Sequence, residues 1–464
     1  MIKRLKDKYI GDKAFYLYII GIVVPMILQN VVTNFVSLLD NIMVGQIGTE
    51  QMSGVAIVNQ FMFVFNISVF GAISGPGIFG AQFRGKGDHE GQKYTFRFRL
   101  IIAFLFIVAA GIIFRVWDSE LISLYLNPEN AGGDIVSTLA YGKQYMSIMV
   151  WGTIPFAVGQ TYASVIRECE ETKIPMIGSF VAVGINLFLD YALIFGKFGF
   201  PEMGVRGAAI ATVVAKTIEA LVCVVWAHMN PEKNPYIVGL YKGFAIPWKL
   251  TKNMIIKGLP LMVNEFLWAY GMAAVNQCYA VRGLEVVAAQ NICGTMTNLF
   301  GVIYIQLGAC ISIVVGQKLG AGKVEEAKDY DNKMIAFSVA ACAVVAVIML
   351  PIARFFPYLY KTDASIRALA TFFILVQACV MPLWAFSNAS YFTLRSGGNT
   401  LITFIFDSVF TWLIMIPLVF CLTHFTGMNI KTIFIIVNYS EIIKVTMGYF
   451  MVKSNMWINN IVDE

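Results

Sequence analysis

Four acids stand inside long apolar stretches of this sequence: Asp40, Asp190, Glu265 and Asp407. A charged carboxylate at the centre of a bilayer costs roughly 2.5–3.5 kcal/mol on insertion scales, so such residues are candidates for chemistry rather than packing. Asp40 ends a polar stripe. Asn30, Thr33, Ser37 and Asp40 are spaced 3, 4 and 3 apart and share one helical face. Asn186 and Asp190 are four apart on a second face, and Thr212 falls about one turn into the following apolar run. Two carboxylates, an amide oxygen and a hydroxyl are hard donors that suit a small hard cation such as Na⁺. The same two acids, held close together, could instead share a proton, because like charges in low dielectric resist joint ionisation. A polar cluster that only holds helices together would use the same residue types.

Glu265 and Asp407 are placed in the cleft or beside a buried polar partner on the cost of burying acids alone. Glu219 and Glu441 are expected nearer helix ends. Trp268 and Met272 follow Glu265 at steps of 3 and 4, and aromatics with methionines suit large, variable cations. Phe61 and Phe65 are similar candidates for substrate contact, although lipid contact or helix packing is the commoner role for any one of these four residues in a chain with 36 Phe and 22 Met. The GKG of FRGKGDHE lacks the spacing and preceding strand of a phosphate loop and reads as a turn between helices. The eight cysteines stand apart without a CxxC pair, which gives no metal site and no disulfide framework.

The elements that must carry these residues follow from composition. Of 464 residues, 58% are hydrophobic and only 13% charged, about half the charged share of a soluble domain. A soluble enzyme, a secreted disulfide scaffold and a disordered chain are excluded. The net charge of +6 is spread along loops, so nucleic acid is not the implied partner. Continuous apolar runs of 20–25 residues start near 14, 54, 98, 136, 174, 206, 254, 286, 333, 366, 400 and 429, which predicts twelve transmembrane helices. With the N-terminus inside, 23 Lys and Arg, beginning with Lys3, Arg4 and Lys6, fall on the inner side and nine on the outer. Lys216 and Lys444 are left inside spans.

The chain also repeats itself. A shift of 235 residues places Pro25 on Pro260, Gly48 on Gly283, and Gln82, Gly85, Gly87 and Glu90 on Gln317, Gly320, Gly322 and Glu325. Six spans per half make a parallel repeat. The expected fold is therefore an all-α polytopic membrane protein, with two pseudo-symmetric six-helix lobes around a central cleft. Residues 1–228 would form the N-lobe, 229–253 a polar, proline-containing cytoplasmic linker, and 254–464 the C-lobe.

VTNFVSLLDNIMVGQIGTE, the two Q-x-x-G-x-G-x-x-E loops, INLFLDYALIFG and GVRGAAIAT, in that order, resemble the MATE family of multidrug and toxic compound extrusion transporters. The likeness is to the prokaryotic branch that includes archaeal and DNA-damage-inducible-type members, and it runs over nearly the whole chain. It implies an antiporter, not an enzyme, that exports amphipathic organic cations by alternating access in exchange for Na⁺ or H⁺. The residues matching Asp40, Asn186, Asp190 and Thr212 would form the N-lobe cation site. No cofactor is implied beyond the coupling ion. The expected setting is a bacterial or archaeal plasma (inner) membrane, with a monomer surrounded by lipid and both termini cytoplasmic. Other branches carry a seventh-helix glutamate about one turn beyond Glu265, where Trp268 stands here. The tenth-helix acid of the Na⁺-dependent branch is absent from MPLWAFSNASYFTLR.

A lipid-linked precursor flippase of the same superfamily is the alternative, and it would call for a strongly cationic cleft, whereas the buried charges here are mainly acidic. A membrane enzyme would need a catalytic constellation, but the three histidines are far apart and no HExxH or GxSxG occurs. A channel would conduct without accumulating its cargo.

Overall fold

The computed structural model describes residues 7–126 and 134–463; Lys3, Arg4 and Lys6 of the basic amino-terminal segment lie outside the described residues. The chain is all-helical, with no strand among the described residues. Twelve long helical elements follow one another among the described residues: α1 (Lys13–Gly45), α2 (Thr49–Lys86), α3 (His89–Val116), α4 (Ile135–Glu168), α5 (Lys173–Ile194), α6 (Val205–Met229), α7 (Trp248–Ala280), α8 (Leu284–Gly320), α9 (Val324–Phe355), α10 (Ala364–Ser396), α11 (Thr400–His424) and α12 (Ile430–Lys453). Ten are long and apolar enough to cross a membrane, while α4 and α7 are as long but more polar. Leu17, Phe104, Trp151 and Val347 are among many large apolar side chains left exposed, as a lipid-facing surface requires. The chain is an integral membrane protein.

Several helices outrun their apolar spans. The sequence predicts spans opening near 54 and 98, but α2 starts at Thr49 and α3 at His89. Hydropathy marks only the hydrocarbon layer, whereas the helical backbone continues through flanks such as KYTFRFR until a turn residue stops it. Asp134 caps α4 by accepting the amides of Val136 and Ser137. Hydrogen bonds from the Ser137 hydroxyl and these amides hold its carboxyl below the usual carboxylate range.

The internal repeat reappears in the element boundaries. α1 and α7 each run 33 residues, and α7 begins 235 residues after α1, as α9 does after α3. Two compact units result. One comprises Val24–Gly80 and His89–Lys252 (the N-terminal unit); the other comprises the chain up to Val23, Ala81–Asp88 and Asn253 onward (the C-terminal unit). The units are thus not cut at the linker alone, because the start of α1 and the α2–α3 turn group with the second half.

Contacts within the C-terminal unit give the physical reason. Phe15 packs edge-on against Tyr330, and Tyr16 packs against Phe337. The two repeated loops also meet reciprocally: a Cβ on Gly85 would lie 1.8 Å from the Gln317 carbonyl oxygen, and one on Gly320 would lie 1.9 Å from that of Gln82. The first glycine of each motif thus permits backbone-on-backbone contact, while the second, Gly87 or Gly322, takes the left-handed φ (77° and 73°) that ends the helix. The Gln82 side chain accepts from Ile461 N (2.9 Å) and donates to the Ser396 and Asn459 carbonyls. The core of this unit includes Phe373 stacked on Phe434, with ring centroids 3.9 Å apart.

In the N-terminal unit, the segment between α6 and α7 is anchored rather than loose. Arg97 on α3 donates to the Leu240, Gly239 and Ala245 carbonyls (2.9, 3.0 and 3.3 Å), and Tyr236 and Leu240 are fully buried. Arg99 and Glu168 form a buried ion pair at 2.8 Å. Gly80 leaves the room it needs, since a Cβ there would fall 2.2 Å from Glu168 Oε2.

Candidate functional site

α1, α5 and α6 bring the predicted acids together in the N-terminal unit. The carboxyls of Asp40 and Asp190 adjoin, with Asn186 beside Asp190 one turn earlier on α5. Asn186 and Asp190 are buried. Asp40 Oδ1, both Asp190 oxygens and both polar atoms of the Asn186 amide have no hydrogen-bond partner. Buried polar groups are nearly always paired, so five unpartnered atoms in one cluster are an arrangement that a cation or proton would complete. The donors available are two carboxylates and an amide; among the described residues no three His, Cys, Asp or Glu side chains gather as a metal site.

Thr212 adjoins the cluster through a residue missed in the sequence. Its hydroxyl donates to the Ala208 carbonyl (3.0 Å) and neighbours the hydroxyl of Tyr145, which donates to Asn59 Oδ1 (3.3 Å). Tyr145 is buried and faces both Asp40 and Asp190. A tyrosine in a chain with 20 of them carries no signal by type alone.

The remainder of the stripe on α1 is turned to its own backbone. Asn30, Thr33 and Ser37 donate to the carbonyls of Met26, Gln29 and Thr33 at 2.9, 2.9 and 3.1 Å, which satisfies them locally. Of the four stripe residues, Asp40 is the one brought against the α5 pair. Phe61 and Phe65 lie with the apolar core of this unit, Phe65 fully so, so packing accounts for both. Trp268 and Met272 on α7 remain open, 44% and 38% exposed.

A second polar chain crosses the same unit. Arg167 donates to Gln29 Oε1 (2.9 Å), Gln29 donates to the Ser179 hydroxyl (2.9 Å), Ser179 donates to Glu219, and Lys216 pairs with Glu219 at 2.9 Å. Contrary to the expectation that it sits near a helix end, Glu219 is ten residues from the end of α6. It persists there because Lys216 and Ser179 satisfy it. Lys216 also lies near enough to Asp40 to act on it electrostatically. A narrow recess is lined by Gln29, Pro155, Lys216, Glu219 and Cys223 among others.

Asp407 and Glu265 belong to a separate cluster in the C-terminal unit. Asp407 takes Lys444 Nζ on Oδ1 (2.6 Å) and Asn264 Nδ2 on Oδ2 (2.9 Å), and Ser408 donates to Asn264 Oδ1 (2.5 Å). The Tyr391 hydroxyl donates to Glu265 Oε1 at 3.4 Å. The signal for this cluster was present in the sequence: Lys216 and Lys444 are the two basic residues left inside spans, and each pairs with an acid.

The MatE family model matches residues 25–192 and 260–443. The chain is 24% identical over 447 residues to the "Probable multidrug resistance protein NorM" of Thermotoga maritima, covering 95% of this chain and 92% of that protein. It is 23% identical to the "Multidrug resistance protein MdtK" of Yersinia enterocolitica, covering 89% and 88%. A solved MATE structure in complex with MaL6 superposes with a TM-score of 0.84 at 18% identity, over 96% of this chain and 99% of that one.

Proposed function

The chain belongs to the MatE family of membrane transporters, and from that premise we propose that it exports multiple organic cations by antiport against Na⁺ or H⁺. The observation that carries the coupling part is the set of buried, unpartnered oxygens on Asp40, Asp190 and Asn186. In this reading the coupling ion binds there, with Thr212 and Tyr145 closing the site, and its arrival biases one arrangement of the helices around Asp40. Glu265 assists coupling, and Trp268 and Met272 offer adaptable apolar contacts to cationic cargo. The working setting is a monomer in a plasma membrane with both termini cytoplasmic. Relatives named for multidrug resistance favour this over the flipping of a lipid-linked precursor.

The test uses purified protein in liposomes, following ethidium under an imposed Na⁺ gradient and, separately, a pH gradient. Uphill movement driven by one gradient and abolished by Asp40→Asn is the expected result and names the ion. No gradient-driven movement of any cationic dye by the wild type would overturn the export reading and bring the flippase forward.

A further inference from the structure

The C-terminal unit contains a site built for an ammonium ion, and its own lysine fills it. Lys444 on α12 sets its ammonium 2.6 Å from Asp407 Oδ1. The same ammonium lies over two aromatic rings, 5.3 Å from the centroid of Phe406 and 5.6 Å from that of Phe410. One carboxylate and two ring faces around one positive charge is the receptacle chemistry used for organic ammonium ligands. Both phenylalanines are almost wholly buried, and the carboxylate and the lysine each keep 13% of their side-chain surface open. The receptacle is therefore walled yet reachable.

Three further features suit exchange at this site rather than a static pair. Asp407 is held by Asn264 and, through Asn264, by Ser408, so the carboxylate stays in place if the lysine leaves. Glu441 precedes Lys444 by one turn on α12 and lies within electrostatic reach of its ammonium, so a displaced lysine has a second acid to pair with. The receptacle is also carried on π-helical turns, Ile405–Val409 and Thr411–Met415, inside α11. Such bulges are rare and concentrate at functional sites.

The contrast with the Asp40–Asp190 cluster is chemical. There three of the four carboxyl oxygens are bare; here the Asp407 carboxylate is already taken by Lys444 and Asn264, so a cation can bind it only by replacing the lysine. We propose that Asp407, Phe406 and Phe410 form a binding site for a monovalent organic ammonium, and that cationic cargo enters it by exchanging with the tethered ammonium of Lys444. The inference rests on the export reading above and deepens it, by naming where the charge of the cargo is held.

The experiment measures ethidium binding to the purified full-length protein by fluorescence anisotropy, alongside ethidium transport in liposomes. Lys444→Met removes the tethered competitor and should tighten ethidium binding at least tenfold. Asp407→Asn combined with Lys444→Met, which keeps the site neutral, should lose that gain. Lys444→Arg keeps the charge and the fold, but its guanidinium grips a carboxylate with two parallel hydrogen bonds; it should weaken ethidium binding about tenfold, and it decides the matter if Lys444→Met fails to fold. Wild-type transport with unchanged affinity in Lys444→Arg, or with no tightening in a folded Lys444→Met, overturns this inference alone. A wild type that neither binds nor moves ethidium overturns the export reading and this inference with it.

Discussion

Replacing either of two buried aspartates by asparagine should move stability in opposite directions, because one carboxylate lacks partners and the other has them. Asp190 adjoins Asp40 and Asn186, but neither of its oxygens makes a hydrogen bond of good geometry. Two full charges about 4 Å apart at an effective dielectric near 20 would repel by roughly 4 kcal/mol, an upper bound that sharing a proton relieves. The cost of leaving a buried polar group unsatisfied is about 1–3 kcal/mol. Asp190→Asn should therefore stabilise the unliganded protein by about 1–3 kcal/mol, a rise in Tm of roughly 2–12 °C for a cooperative unit of this size. Asp407→Asn should do the reverse. It removes the carboxylate that holds the Lys444 ammonium in a site only 13% open, and breaking a buried pair on one side costs about 3–5 kcal/mol, less whatever Glu441, one turn away, returns. The assay is thermal unfolding of purified protein in detergent, across a series of Na⁺ concentrations and of pH. The wild type should melt higher as the coupling ion is added, by about 2.7 kcal/mol at a hundredfold excess over Kd, and Asp190→Asn should lose that dependence. If Asp190→Asn melts lower than the wild type, or keeps the full ion-dependent shift, the cluster is interhelix glue and the reasoning fails.

Two further outcomes test the packing that holds these sites. Gly85→Ala and Gly320→Ala each place a methyl group under 2 Å from a backbone carbonyl oxygen, where the neighbour has no side chain to swing away; each should cost more than the about 1–3 kcal/mol of ordinary overpacking, read as a lowered Tm, whereas Gly111→Ala, with open space at its Cβ, should be close to neutral. Arg97→Ala removes three hydrogen bonds to the α6–α7 segment, so limited proteolysis should cut between residues 230 and 247 faster than in the wild type, and equal rates would show that the buried Tyr236 and Leu240 suffice to hold it.

That Asp40, Asn186, Asp190 and Thr212 form one set was implied by the resemblance to the MATE family, whereas the membrane character, the helix count, the internal repeat and the candidacy of the intramembrane acids were legible in the residues themselves. Each rests on local pattern, since an apolar run, a three-or-four spacing or a repeated loop is a property of neighbours along the chain. Asp40 could be chosen from its stripe as an acid in an apolar helix, but only the packed structure shows that Asn30, Thr33 and Ser37 turn back to their own carbonyls while Asp40 reaches across to α5.

Pairing across helices is what the tertiary structure decided. Lys444 and Asp407 lie 37 residues apart, Tyr145 reaches a cluster drawn from α1, α5 and α6, and Gly85 and Gly320 earn their identity only from the carbonyl that each meets. No periodicity records such a partner. Burial makes a lone charge costly, so a lysine inside a span announces that a partner exists; which acid it takes depends on how the helices pack, and that depends on the shape of every side chain between them.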